Sequence, residues 1–325
     1  MPLKYMNLPD PVLGPGEILV RVSACGICPN DLDEIEGRTP PPHLPIIPGH
    51  QVVGRVAMTM GKSLFQVDDR VGVGWIYSSC GVCRFCKEGN ENLCVNFRAT
   101  GRDTHGGYAQ YMRVPEDFAF RLPDTLADIE TAALLCDGPV GLRALRLTGI
   151  KDGDSLGLFG LGYPGQIILQ LVKHLYPHSP ISVFSSVQKE RATAQDKGVA
   201  WTGAIDEEPL AKLDAIIDTT PNWKPVVEAL ENLDHGGRLI IDASHKDDQD
   251  KSQLGNLDYL AHLWSEKEIK SVANVSRRDI QEFLEIAASI SLQLQPQVYK
   301  LQDANRALVD LQAGRHIGPQ VLKID

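Results

Sequence analysis

The rhythm of apolar and polar positions changes once along this chain. Through residue 137, β-branched runs are short and broken by Gly and Pro, as in Glu17-Ile18-Leu19-Val20-Arg21-Val22 and Gln51-Val52-Val53-Gly54-Arg55-Val56. Short runs between turn residues predict the strands of an irregular, β-barrel-like domain. From residue 138 onward, compact apolar runs alternate with longer amphipathic stretches. The runs at 155–159, 181–184, 214–219 and 238–243 predict buried strands, and 166–175 and 224–233 predict helices. Strands that alternate with helices predict a parallel, doubly wound sheet, so the fold class is α/β. The tail from 298 to 325 reads as a short strand, a short helix and a final strand over 320–324. It is expected to rejoin the first domain. The domain plan is therefore 1–137, 138–290, and a return segment 291–325.

Length and charge fit this plan and narrow the partners. A chain of 325 residues suits two domains rather than one. The formal net charge of −10 disfavours nucleic acid or an anionic membrane as the partner, because both would be repelled. No apolar run approaches the roughly 20 residues that span a bilayer. Met1-Pro2-Leu3-Lys4-Tyr5 lacks the basic-then-apolar order of a secretory signal, so a cytoplasmic location is expected.

Seven cysteines, unevenly placed, read as metal ligands rather than disulfides in a reducing compartment. Cys80, Cys83, Cys86 and Cys94 follow C-x2-C-x2-C-x7-C. Thiolates this close on one loop can converge on a Zn²⁺ and leave no open position, which makes a structural site. Arg84 and Lys87 are placed to offset the excess negative charge. Cys28 and His50 each sit beside a glycine-containing turn, and Cys136 lies far along the chain. Together they would form a three-ligand zinc with a vacant fourth position, suited to Lewis-acid work on an alcohol oxygen. The plainer alternative makes His50 a turn residue and Cys136 part of the core.

Gly160-Leu161-Gly162-Tyr163-Pro164-Gly165 is G-x-G-x-x-G between a strand and a helix. Gly160 permits the tight turn, Gly162 lets the backbone approach a pyrophosphate, and Gly165 lets the helix pack on the strand. A ribose-binding carboxylate would stand about 20 residues on, at the tip of the next strand. That tip is Ser185-Ser186, with Lys189 and Arg191 beyond. Hydroxyls near cations favour NADP, with NAD possible; alternatively the two cations belong to a solvated helix face.

These motifs join Gly26-Ile27-Cys28-x-x-Asp31, Pro48-Gly49-His50, His105-Gly106-Gly107-Tyr108-Ala109, Leu134-Leu135-Cys136, Ser271-Val272-Ala273-Asn274 with Arg277 and Asp279, and Ala304-Asn305-x-Ala307-Leu308. In this order, over nearly the whole chain, they resemble the zinc-containing medium-chain dehydrogenase/reductase family in its microbial alcohol dehydrogenase branch. The resemblance implies a GroES-like catalytic domain carrying the structural-zinc loop 80–94, plus a Rossmann coenzyme domain, with zinc and nicotinamide in the cleft between them. It implies two zincs per chain, with Cys28, His50 and Cys136 as the catalytic ligands. Asp31 would orient a zinc-bound group, Trp75 would line the substrate pocket, and Asn274 would join the coenzyme contacts. The implied reaction moves a hydride between NAD(P)(H) and a small primary or secondary alcohol or aldehyde, in a homodimer or homotetramer.

Three departures qualify the match. Asn30 stands where the family has a Thr or Ser that passes the alcohol proton outward; Asp33, at a position that is His in some relatives, could take the proton through water. Gln51 replaces a Glu, leaving the metal surroundings less negative by one charge. Relatives also carry a strand before the segment matching 2–22, and its absence would bare a sheet edge. Two further readings follow: a polyol or ring-alcohol dehydrogenase of the same fold, and a catalytically impaired homologue that still binds zinc and coenzyme. His43 and His105 read as loop residues, Trp201, Trp223 and Trp264 as packing, and Asp247-Asp248-Gln249-Asp250 as a solvated loop.

Overall fold

The β-branched run after Pro15 becomes the longest strand of the protein and the one around which the first unit is built. The computed structural model describes residues 3–315 and 318–324. It divides into one unit formed by 1–139 with 274–325, and a second formed by 140–273. Seven strands precede the second unit: β1 (Glu17–Ile27), β2 (Gln51–Thr59), β3 (Arg70–Val73), β4 (Ile76–Ser78), β5 (Arg98–Ala99), β6 (Tyr111–Pro115) and β7 (Ala119–Arg121). Six lie within it: β8 (Leu156–Phe159), β9 (Ile181–Phe184), β10 (Trp201–Gly203), β11 (Leu213–Asp218), β12 (Leu233–Ile241) and β13 (Glu268–Ser271). The tail supplies β14 (Gln297–Lys300) and β15 (Gln320–Lys323).

In the first unit the sheet runs β14-β15-β1-β2-β3-β7, with β6 also on β1. All its pairings are antiparallel except β14 with β15. β1 carries β2 along one flank and β6 and β15 along the other, so it is paired on both sides at the centre of the sheet. Ala24–Ile27 of β1 pair with β15 of the tail.

The domain boundary differs from the expected one. The second unit ends at Ala273, not at 290. The helix Arg277–Ser289 packs with the first unit: Phe283 lies against Gly138, Ile280 against Gly74, and Arg277 pairs with Glu91. Its apolar face is plain in the sequence, but periodicity does not say which sheet that face will meet.

The second unit holds a parallel sheet in the order β10-β9-β8-β11-β12-β13. Renumbered within the unit this is 3-2-1-4-5-6, the doubly wound order of a dinucleotide fold. The order reverses between β8 and β11, where ligands of such sheets bind beyond the strand ends. Phe159 and Phe184 stack at 4.2 Å in a core with Leu213, Ile216, Val226, Leu230 and Leu239. Trp201 and Trp223 pack on that core, but Trp264 is 63% exposed and does not. Asp250 is more than a solvated acid: its carboxylate accepts the Trp223 and Lys224 N–H groups at the start of the helix Lys224–Asn232.

Candidate metal centres and coenzyme turn

Cys28 follows β1 directly and caps the helix Pro29–Glu36. Asp31, at the third helical position, accepts the Cys28 N–H at 2.9 Å and closes a capping box. His50 is the residue before β2. Gly49 holds φ +95°, and a Cβ there would lie 2.2 Å from Tyr108 Cδ1, so only glycine lets the two segments meet. Gly106, Gly107 and Tyr108 donate to the carbonyls of Ile47, Gly49 and Pro48 at 2.7, 2.9 and 3.0 Å, zipping the segments together. His105, in the same segment, accepts the Ile47 N–H on its Nδ1. Cys136 comes from the turn after the helix Asp128–Leu134.

Three chain regions thus bring Cys28, His50 and Cys136 together, with ligand atoms within 4.8 Å of one another. The two sulfurs are 4.0 Å apart, close to the ~3.8 Å that two thiolates share across a tetrahedral zinc. His50 is 0% exposed; its Nδ1 faces Asp31 Oδ1 at 3.3 Å, and its Nε2 has no hydrogen-bond partner among the described residues. A buried nitrogen without a partner is costly unless something absent from the chain takes its lone pair. The Tyr108 hydroxyl donates to Asp31 Oδ2 at 3.0 Å, so Tyr108 and Asp31 hold the imidazole from behind. The hydrogen bond with Cys136, and then burial, push the Cys28 thiol well above its ordinary range. A cation is what would turn both thiols into thiolates here. The donor set fits zinc.

The surrounding departures are also placed. Gln51 is buried, with Oε1 unpartnered among the described residues. Sequence reasoning missed Glu34 on the same helix as Asp31. Burial, and then the Asp31 charge, push its carboxyl up to about 8. Asp33 is buried and accepts the Arg38 guanidinium on Oδ1 at 2.6 Å; Asn30 is half-buried. Trp75, between β3 and β4, is half-buried with its ring 4.9 Å from that of Phe97.

Cys80, Cys83, Cys86 and Cys94 also converge, all four sulfurs within 4.8 Å. Sγ–Sγ distances of 3.9 Å (Cys80–Cys86) and 3.5 Å (Cys83–Cys86) suit a four-thiolate cage. Backbone N–H groups of Val82 and Cys83 hold the Cys80 thiol down to about 6, whereas burial pushes Cys94 up to about 11. Arg84 lies over the Phe85 ring. The cation that anchors this loop is one that spacing could not reveal: Arg277 Nε and Nη2 both reach Glu91 Oε1 at 2.9 Å, and the guanidinium covers Phe118.

In the second unit the glycine turn joins β8 to the helix Tyr163–Leu175. A Cβ at Gly165 would stand 2.4 Å from the Gly160 carbonyl oxygen, so helix and strand approach as closely as the motif demands. The turn is pinned from both sides: Gly160 N–H donates to Phe184 O at 2.8 Å, and the Thr219 hydroxyl donates to Phe159 O at 3.0 Å. Beside it, buried Asp218 pairs with Lys246 and accepts from Thr220. Ser185 lies at this turn; Ser186 and Lys189 are exposed, and Arg191 donates to the Ser185 carbonyl. Asn274 falls in the first unit, where its Oδ1 accepts the Val275 N–H. Among the described residues no helix is long and apolar enough to cross a membrane.

Known proteins carry the same plan. Residues 14–124 match the family model "Alcohol dehydrogenase GroES-like domain". The chain is 39% identical over 330 residues to the "Probable alcohol dehydrogenase AdhA" of Mycobacterium tuberculosis, covering 99% of this chain and 93% of that protein. It is 31% identical over 337 residues to an alcohol dehydrogenase of Geobacillus stearothermophilus, covering 99% and 96%. A solved structure described as an NAD-dependent alcohol dehydrogenase superimposes with a TM-score of 0.87 at 22% identity, over 98% of this chain and 95% of the other. Sequence likeness of this extent, on a GroES-like unit with two thiolate-rich centres and a six-stranded Rossmann sheet, places the chain in the zinc-containing medium-chain alcohol dehydrogenase family.

Proposed function

We propose that this protein is a zinc-dependent dehydrogenase acting with a nicotinamide coenzyme on small primary or secondary alcohols and aldehydes. The observation that carries the reading is the buried Cys28–His50–Cys136 group, with an imidazole Nε2 that has no hydrogen-bond partner among the described residues. When bound, zinc would supply Lewis acidity toward the substrate oxygen, and the coenzyme would supply or accept the hydride.

The chain's own residues do the rest. Cys28, His50 and Cys136 hold the metal from three segments, and Asp31 with Tyr108 fixes the imidazole so that Nε2 faces the thiols. Gln51 leaves the surroundings one charge less negative than a carboxylate would, which strengthens the pull on a bound oxygen. Asn30 orients a substrate oxygen by its amide, and Trp75 narrows the pocket toward short or flat substrates. Asp33 takes the departing proton through water, its carboxylate oriented by Arg38. Gly160, Gly162 and Gly165 open the backbone to the coenzyme pyrophosphate at the helix N-terminus. Cys80, Cys83, Cys86 and Cys94 enclose the second, structural zinc.

A homodimer or homotetramer belongs to the same proposal. β13 is exposed along its whole length, beside exposed Tyr259, Leu260 and Trp264, a surface suited to a second copy. Light scattering giving a monomer mass would remove it. A cytoplasmic setting suits a chain whose seven cysteines are all free.

The test is turnover of a panel of short aldehydes and alcohols, followed through nicotinamide absorbance across pH in the native protein and in Asp33→Asn. Turnover in the native protein, with a pH–rate profile altered in the variant, is expected. Full zinc content without turnover on any of them would instead favour a catalytically impaired homologue. An unchanged profile would remove Asp33 from the proton path.

A further inference from the structure

The tip of β9 and the glycine turn share one carboxylate, which the strand-tip pattern did not reveal. Glu190, on the first turn of the helix Gln188–Asp196, sends Oε2 back to both. It accepts the Leu161 N–H at 2.9 Å and the Ser185 hydroxyl at 2.6 Å. Its other oxygen, Oε1, turns over the second glycine of the motif: a Cβ placed on Gly162 would stand 4.0 Å from it.

The groups that favour a 2′-phosphate are arranged otherwise than their sequence suggests. Ser185 is 2% exposed; its hydroxyl is given to Glu190 and its carbonyl holds the Arg191 guanidinium. Ser186 and Lys189 are exposed to solvent. The group that bridges the strand tip to the glycine turn is thus an anion, with the Arg191 guanidinium held on the Ser185 carbonyl. A carboxylate held by two donors on one oxygen offers the other as an acceptor for a ribose hydroxyl. A phosphate in the same place brings nearly two negative charges against that carboxylate, in a half-buried corner where screening is weak.

We propose that Glu190 is the ribose-selecting residue of this protein and sets a preference for the coenzyme that lacks the 2′-phosphate. The inference rests on the nicotinamide-coenzyme reading above, and it reverses the preference that Ser185, Ser186, Lys189 and Arg191 suggest as a sequence. The acid comes from the helix rather than from the strand end. Oε2 anchors it to the turn, so that Oε1 is already aimed when coenzyme arrives.

Calorimetric titration of the zinc-loaded protein with NADH and with NADPH tests this without turnover. NADH should bind roughly tenfold or more tightly than NADPH, the scale of one charge-assisted hydrogen bond. Glu190→Gln keeps the shape and removes the charge, and should narrow that ratio by about tenfold. NADPH binding as tightly as NADH in the native protein would overturn the inference. So would an unaltered ratio in a Glu190→Gln variant whose thermal melt matches the native one. The native ratio is decisive by itself if the variant folds poorly. Binding of neither coenzyme would remove the coenzyme reading, and this inference with it.

Discussion

Replacing His50 with Ala is expected to leave a folded protein that holds about one zinc per chain instead of two and turns over at least ~10³-fold more slowly. The expectation follows from geometry. His50 is fully buried, with Asp31 on one side and the Cys28–Cys136 pair within reach of its ring nitrogens. Removing the imidazole leaves two buried thiols 4.0 Å apart, too few donors to hold a catalytic metal against water. The sheet should survive, because His50 precedes β2 rather than forming part of it. Tyr108→Phe makes the graded comparison. It deletes the hydroxyl that holds Asp31 Oδ2 but leaves every donor in place, so the loss should be about tenfold in zinc affinity. Metal analysis and turnover, measured on the same preparations, read both. Activity retained in His50→Ala would mean that this trio is not the reacting centre.

The second large effect concerns stability. Cys86→Ser should cost the other zinc, lower the melting temperature, and open the loop 80–94 to proteases, with a loss on the order of several kcal/mol. This loop has little else to order it. The helix Arg84–Lys87 is four residues long and buries none of them, while Val82 and Val95 are exposed. Beside the thiol cluster, Arg277 pairs with Glu91, and Cys86 Sγ is close to both Cys80 and Cys83. Removing that sulfur therefore strips the shared centre of the cage. Thermal melts and limited proteolysis with and without a chelator would show it. A variant as stable and as protease-resistant as the native protein would mean that the cysteines are ordinary packing.

What could be read in the sequence was what depends on local pattern. The four thiols of loop 80–94 announce themselves because all four ligands lie within one short stretch, and β8, β9, β11 and β12 because their apolar runs are bounded by turn residues. Cys28 and Cys136 are 108 residues apart, and nothing in spacing joins them; only the resemblance did. β13 escaped notice because it is short and fully exposed, so it carries no apolar signature. That the helix Arg277–Ser289 lies with the first unit is not legible, because amphipathicity marks a buried face without naming what buries it. Glu190 was overlooked for a similar reason. The motif places a ribose-binding acid at the strand tip, whereas this carboxylate reaches that tip from the following helix. Tyr108 lies inside His105-Gly106-Gly107-Tyr108-Ala109, yet its role behind Asp31 appears only once the Pro48-Gly49-His50 turn brings the two segments together.

The most direct measurement is zinc per chain in native protein purified without added metal, with reduction of a short aldehyde assayed on the same sample. About two zincs with turnover is the expected result, one in the thiolate cage and one on Cys28, His50 and Cys136. About one zinc and no turnover would contradict it: the cage would then hold the only metal, and the buried trio would not be a catalytic centre.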